Sequence, residues 1–106
     1  MISGEIMPET TVNVRFLGEL RSLLRRREME VTLASGSTVG MLLRYLRENL
    51  DEAFAERMFT QDGNLHRHVS IFVNDRNIED AEGQLTTLNG GEVDLLILPV
   101  FEGGQA

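Results

Sequence analysis

Cysteine is absent from this 106-residue chain. That excludes disulfides, thiolate nucleophiles, iron–sulfur ligation and cysteine-based zinc sites. Lysine is absent as well, since every one of the ten basic residues is arginine. The chain therefore has no Schiff-base chemistry of its own and no side-chain amine to which a carboxyl group could be joined. No apolar run approaches the ~18 residues of a membrane span. The opening MISGEIMPET lacks the basic start and apolar stretch of a signal peptide, so residues 1–10 read as a short disordered leader and a cytoplasmic location is expected. Also missing are a Walker loop, a G-x-G-x-x-G turn, an H-E-x-x-H helix and a Ser/His/Asp set with elbow glycines.

What is present is an acidic chain of ordinary globular composition. Seventeen acidic residues against ten arginines give a net charge of −7. Phosphate-backbone binding needs clustered positive charge, so neither nucleic acid nor a membrane is expected as partner. The overall charge favours a protein with a basic docking surface, because opposite fields accelerate encounter. The length fits one domain with a single modest core.

Along the chain, Thr11–Leu17 alternates with Val12, Val14 and Phe16 on one face, and Glu28–Leu33 alternates again through Met29, Val31 and Leu33. The two read as a hairpin joined by the basic stretch GELRSLLRRR, with room for a helical turn. Ser37 is a plausible helix N-cap after the turn residues 34–37. Val39, Leu42, Leu43, Leu46 and Leu50 then recur at helical spacing. Gly40 within that helix suggests a close approach to the sheet. Residues 51–58 add a turn or two, with Phe54 and Met58 apolar. A third strand spans Val69–Val73, a turn at 74–77 leads to a short return at Ile78, and a last strand spans Val93–Leu98. The order strand, strand, helix, strand, short strand, strand predicts an α+β fold. It is a β-grasp (ubiquitin-like) arrangement, a mixed sheet of four to five strands with one main helix on one face. The crossover rule is taken to place the chain after the helix beside the first hairpin. The domain is read as 11–98, with 99–106 a flexible tail.

Few residues invite a chemical role. His66 and His68, two apart, would share one face of a strand, but two ligands without a third read as solvated histidines. Arg25, Arg26 and Arg27 read as a solvated connection. Asp51, Glu52 and Glu56 suit a helix dipole. The tail Pro99-Val100-Phe101-Glu102-Gly103-Gly104 is different. Two adjacent glycines form a thin, pliable strip of chain that can thread a narrow channel and present a carboxylate. On the sheet, if Val93, Leu95 and Ile97 face the helix, then Leu96 and Leu98 face away, as do Leu17 and Phe72 on their strands. An apolar patch of this kind, with Phe101 on the tail, is a candidate docking surface.

The segments Leu65–Asp75, Leu85–Val93 and Leu98–Gly104 resemble the ubiquitin-like sulfur carriers of the MoaD/ThiS group, and the resemblance spans nearly all of Val12–Gly104. The longer stretch at 51–68 is most similar to the extended carriers, including the cysteine-synthesis type. The resemblance implies a non-catalytic carrier, free as a monomer. A ubiquitin-activating-type enzyme, using ATP and magnesium, would adenylate the carboxylate of Gly104. Sulfur from a partner would then give a Gly104 thiocarboxylate for a sulfur-accepting synthase of molybdopterin, cysteine or related thiometabolite synthesis. This chain departs from the group by continuing with Gln105-Ala106. A processing metalloprotease acting between Gly104 and Gln105 is therefore expected. The alternative is a ubiquitin-like modifier or a plain interaction module.

Overall fold

The computed structural model describes residues 8–99. The chain forms β1 (Glu9–Phe16), α1 (Glu19–Leu24), β2 (Glu28–Ala34), α2 (Val39–Asn49), α3 (Glu52–Met58), β3 (Val69–Val73), β4 (Arg76–Asn77) and β5 (Glu92–Pro99). Two 3₁₀ turns, Ile78–Asp80 and Gly83–Leu85, lie between β4 and β5. The alternation at the start of the chain does make an antiparallel hairpin, with Val12 opposite Val31 and Val14 opposite Met29. β1 begins at Glu9, two residues before the alternation predicts, because Thr10 is also buried and its hydroxyl donates to the Gly90 carbonyl at 2.8 Å.

The five strands lie in the order β2-β1-β5-β3-β4. The last strand, not the strand that follows the helices, occupies the place beside β1, and it runs parallel to it with Val14 opposite Leu95 and Phe16 opposite Ile97. The crossover argument therefore chose the wrong neighbour for the hairpin. β3 instead pairs antiparallel with the far side of β5. The physical reason is burial: β5 is apolar along most of its length, and the centre of the sheet is where such a strand loses most water.

One sheet face carries the core. Val12, Val14, Phe16, Val31, Ile71, Val93, Leu95 and Ile97 point to it and meet Val39, Leu42, Leu43 and Leu46 of α2, all buried. α3 adds Phe54 and Met58, with the Phe54 ring edge-on to Phe16 at 6.3 Å and 79°. The N-cap of α2 is Thr38, whose Oγ1 accepts the Met41 N–H at 3.2 Å. Ser37, one residue earlier, instead donates from its hydroxyl to the Ala34 carbonyl at 2.7 Å and closes the preceding turn. Gly40 does mark a close approach, but to the second 3₁₀ turn: a Cβ there would lie 3.3 Å from the Gln84 carbonyl oxygen. Ile78, read as a returning strand, begins the first 3₁₀ turn, whose Asn77 side chain accepts the Glu79 N–H.

Candidate functional site, a sheet face at the root of the tail

The face of the sheet turned away from α2 holds the side chains of alternate residues left over by the core. On β1 these are Thr11, Asn13 and Arg15, followed by Leu17. On β5 they are Glu92, Asp94, Leu96 and Leu98, and on β3 Ser70 and Phe72. Register brings the predicted apolar residues together. Phe72 lies directly opposite Leu96, and Leu98 opposite Ser70. Leu17 continues β1 past the Phe16–Ile97 pair, its N–H donating to the Ile97 carbonyl at 3.0 Å. Leu17, Phe72, Leu96 and Leu98 are each half-buried, and they form a stripe across three strands. The other predicted residues, Phe101, Gly103, Gly104 and Gln105, lie outside the described residues.

Parallel pairing fixes where the tail begins. β1 and β5 end at the same edge of the sheet, so Pro99, buried, is placed beside the chain leaving β1. Gly18 sits at this junction with φ +60° and ψ −140°, a backbone region open in practice only to glycine. A Cβ there would lie 3.7 Å from the Pro99 carbonyl oxygen and 3.8 Å from Leu98 Cδ1. Sequence reading passed over Gly18. Its signal was available, a glycine directly after a strand and before an apolar, helix-spaced run.

Sequence reading also separated arginines that the fold groups. Arg15, Arg21 and Arg27 line a cleft of about 400 Å³ together with Phe16, Leu17 and Glu28. The Phe16 N–H donates to the Arg27 carbonyl at 2.9 Å, which holds the start of β2 against the end of β1. The cleft thus opens at the edge where β5 ends with Pro99. His66 and His68 do come together, with stacked rings 5.0 Å apart, but from the turn ahead of β3 and not from a strand face. Among the described residues no three His, Cys, Asp or Glu side chains gather as a metal site, and no helix is long and apolar enough to cross a membrane.

Among the described residues this geometry brings no nucleophile–base set together. It is a small scaffold with a half-apolar face and an arginine cleft beside the end of β5 at Pro99. Proteins of that form are found by comparison. The sulfur carrier protein CysO of Mycobacterium tuberculosis is 36% identical over 73 residues, 67% of this chain and 76% of its own. Its crystal structure matches with a TM-score of 0.65 and 32% identity, covering 85% of this chain and 99% of that one. Small archaeal modifier protein 3 of Haloferax volcanii is 27% identical over 92 residues, 87% of this chain and 98% of its own. The CysO of Amycolatopsis orientalis, solved in a complex with BexX, has the same fold at 23% identity and a TM-score of 0.64, covering 88% of this chain and 99% of that one. These are small carrier and ubiquitin-like proteins, not catalysts, and their shared fold is the β-grasp that the element order predicted. The ThiS family model matches residues 14–104, so nearly the whole described domain and the paired glycines fall within it, and the chain belongs to the ThiS family.

Proposed function

We propose that this protein carries sulfur on the C-terminal carboxyl group of Gly104, once the bond to Gln105 has been cut. The observation that carries this reading is the extent of the family match, which runs through Gly103 and ends on Gly104, leaving Gln105-Ala106 outside. A carboxylate at Gly104 is a poor electrophile. Joined to AMP by a ubiquitin-activating-type enzyme with ATP and magnesium, it becomes a good one. A sulfur nucleophile from a partner then displaces AMP. Hydrosulfide gives the thiocarboxylate directly, whereas a persulfide gives an acyl disulfide that a thiol must cleave, leaving with the partner's sulfur as a disulfide. The thiocarboxylate is a transferable nucleophile for a sulfur-accepting synthase. A chain without cysteine suits this chemistry, since the sulfur rides on the backbone terminus. Molybdopterin and cysteine synthesis are the two receiving pathways we favour. The 36% identity to CysO supports the cysteine type. The stripe of Leu17, Phe72, Leu96 and Leu98, with Phe101, is the surface that seats these enzymes, and a metalloprotease performs the cut.

The test is intact-protein mass spectrometry of the chain isolated from its own cells under sulfur demand. We expect loss of Gln105-Ala106 and a form heavier by sulfur replacing one oxygen. A chain that stays full-length under sulfur starvation would sink the proposal. A second reading, that the trimmed tail forms an amide on other proteins, is favoured by the likeness to a small archaeal modifier protein. The same spectra separate the two, because that reading requires adducts on lysines of target proteins. Replacing Gly104 by a bulky residue stops both.

A further inference from the structure

The charge of this molecule is unevenly placed. Residues 15–27 hold five arginines and one glutamate, in a chain whose net charge is −7. That single glutamate, Glu19, is engaged elsewhere, its carboxylate 2.9 Å from Arg57 Nε on α3. Within the cleft, the contact from Arg15 Nε to Glu28 is 3.9 Å long and both side chains are more than half exposed, so it restrains neither. Arg21 and Arg27 are exposed and enter no ion pair among the described residues. The field at the tail-exit edge is thus positive, while Glu30, Glu92 and Asp94 make the far part of the open face negative.

Leu17 lines the cleft and also belongs to the apolar stripe, so the two surfaces are continuous. The root of the tail lies one residue further on, where Gly18 meets Pro99. We propose that the cleft of Arg15, Arg21 and Arg27 receives a carboxylate-rich segment of the adenylating partner and thereby fixes the direction in which the tail enters that enzyme. This inference rests on the sulfur-carrier reading. It reverses, for this edge alone, the basic partner that the overall charge suggests. A polyanion such as RNA fits the same guanidiniums less well. It would extend beyond the cleft into an acidic surface, whereas a short acidic protein segment ends where the arginines end.

The experiment measures ATP–pyrophosphate exchange by the adenylating enzyme of the same organism, with the carrier cleaved to end at Gly104 and its concentration varied. The double variant Arg21→Glu/Arg27→Glu is compared with Arg44→Glu/Arg76→Glu, which changes the net charge equally at sites on α2 and β4. We expect the first to raise KM about tenfold or more at low salt with kcat unchanged, and the difference to shrink as salt screens it. The second should leave KM within about twofold, since screened charges far from the contact act weakly. All four arginines are exposed, and of them only Arg76, in the control variant, makes a side-chain hydrogen bond among the described residues, to the Asp80 carbonyl at 2.8 Å. Thermal unfolding of the cleft variant should therefore match the parent, which separates a docking defect from misfolding. An unchanged KM in the cleft variant overturns the inference while exchange by the parent upholds the carrier. An equal rise in the second variant reduces the effect to net charge and overturns it too. So does cleft-dependent binding of single-stranded RNA with exchange unaffected. A parent that supports no exchange removes the carrier reading and this inference together.

Discussion

Leu96 stands between Phe72 on β3 and Arg15 on β1, at the middle of the open face. Its backbone is paired within the sheet while its side chain is only half-buried, so the fold and the proposed docking would draw on different parts of the same residue. Leu96→Asp removes the central apolar contact and places a carboxylate where a partner's apolar surface must shed water, a change that hot-spot positions tolerate poorly. The neighbouring Arg15 can receive the new charge in the free protein. Stability should therefore change by no more than about 1 kcal/mol, while adenylation by the partner is lost. Circular dichroism melting alongside the exchange assay checks both halves. Intact adenylation would remove Leu96 from the docking surface. Alternation along residues 93–98 was enough to place this side chain on the open face, because a two-residue period assigns every side chain in a strand to one face or the other. It could not find the arginine cleft. Arg15, Arg21 and Arg27 become neighbours only through the pairing of β1 with β2 and the short helix between them.

The β3–β4 hairpin shows how far an element can be read from its residues. Asn74 and Asp75 both take positive φ, 49° and 73°, as the two central positions of a hairpin turn with mirror-type geometry require. Asn74 is well suited, and its side chain accepts the Asp94 N–H at 3.0 Å while its own N–H donates to the Asp94 carbonyl at 2.8 Å, pinning the turn to β5. Asp75 has a Cβ in a conformation that glycine adopts freely. Asp75→Gly should therefore stabilise the domain by about 0.5 kcal/mol, the relief of the left-handed strain exceeding the added freedom of the unfolded chain. Denaturant midpoints compared at equal m-values would show it, and a fall in midpoint would refute the turn assignment. The sequence cluster Asn-Asp-Arg-Asn signalled a turn here, but propensity could not say which two of the four residues formed it. The same limit applies at the start of α2, where the sequence pointed to Ser37 as the cap and the bond from Met41 assigns it to the adjacent Thr38. Strand order was the larger failure. Local pattern gives the strands, but the place of β5 between β1 and β3 follows from competition for the dry centre of the sheet, which no short window contains.

At the scale of the whole molecule, the proposed function assigns fold and chemistry to different parts of the chain. The core runs from Val12 to Ile97, and β5 closes with Pro99 packed beside β1. The family match extends past that point to Gly104. A domain of this size is held by only about 5–15 kcal/mol. A tail that contributed packing would then show itself as a measurable loss on removal. Ending the chain after Pro99 should shift the melting temperature by less than about 2 °C, corresponding to well under 1 kcal/mol, yet leave nothing for an adenylating enzyme to act on. If the truncated chain melts far below the parent, the segment beyond Pro99 is part of the fold, and its glycines serve packing instead of threading. If instead it melts with the parent and still takes up sulfur, the reactive group lies elsewhere on the scaffold. Only the combination of an unchanged melt and a complete loss of activation fits a molecule whose compact part serves to hold out and aim its own end.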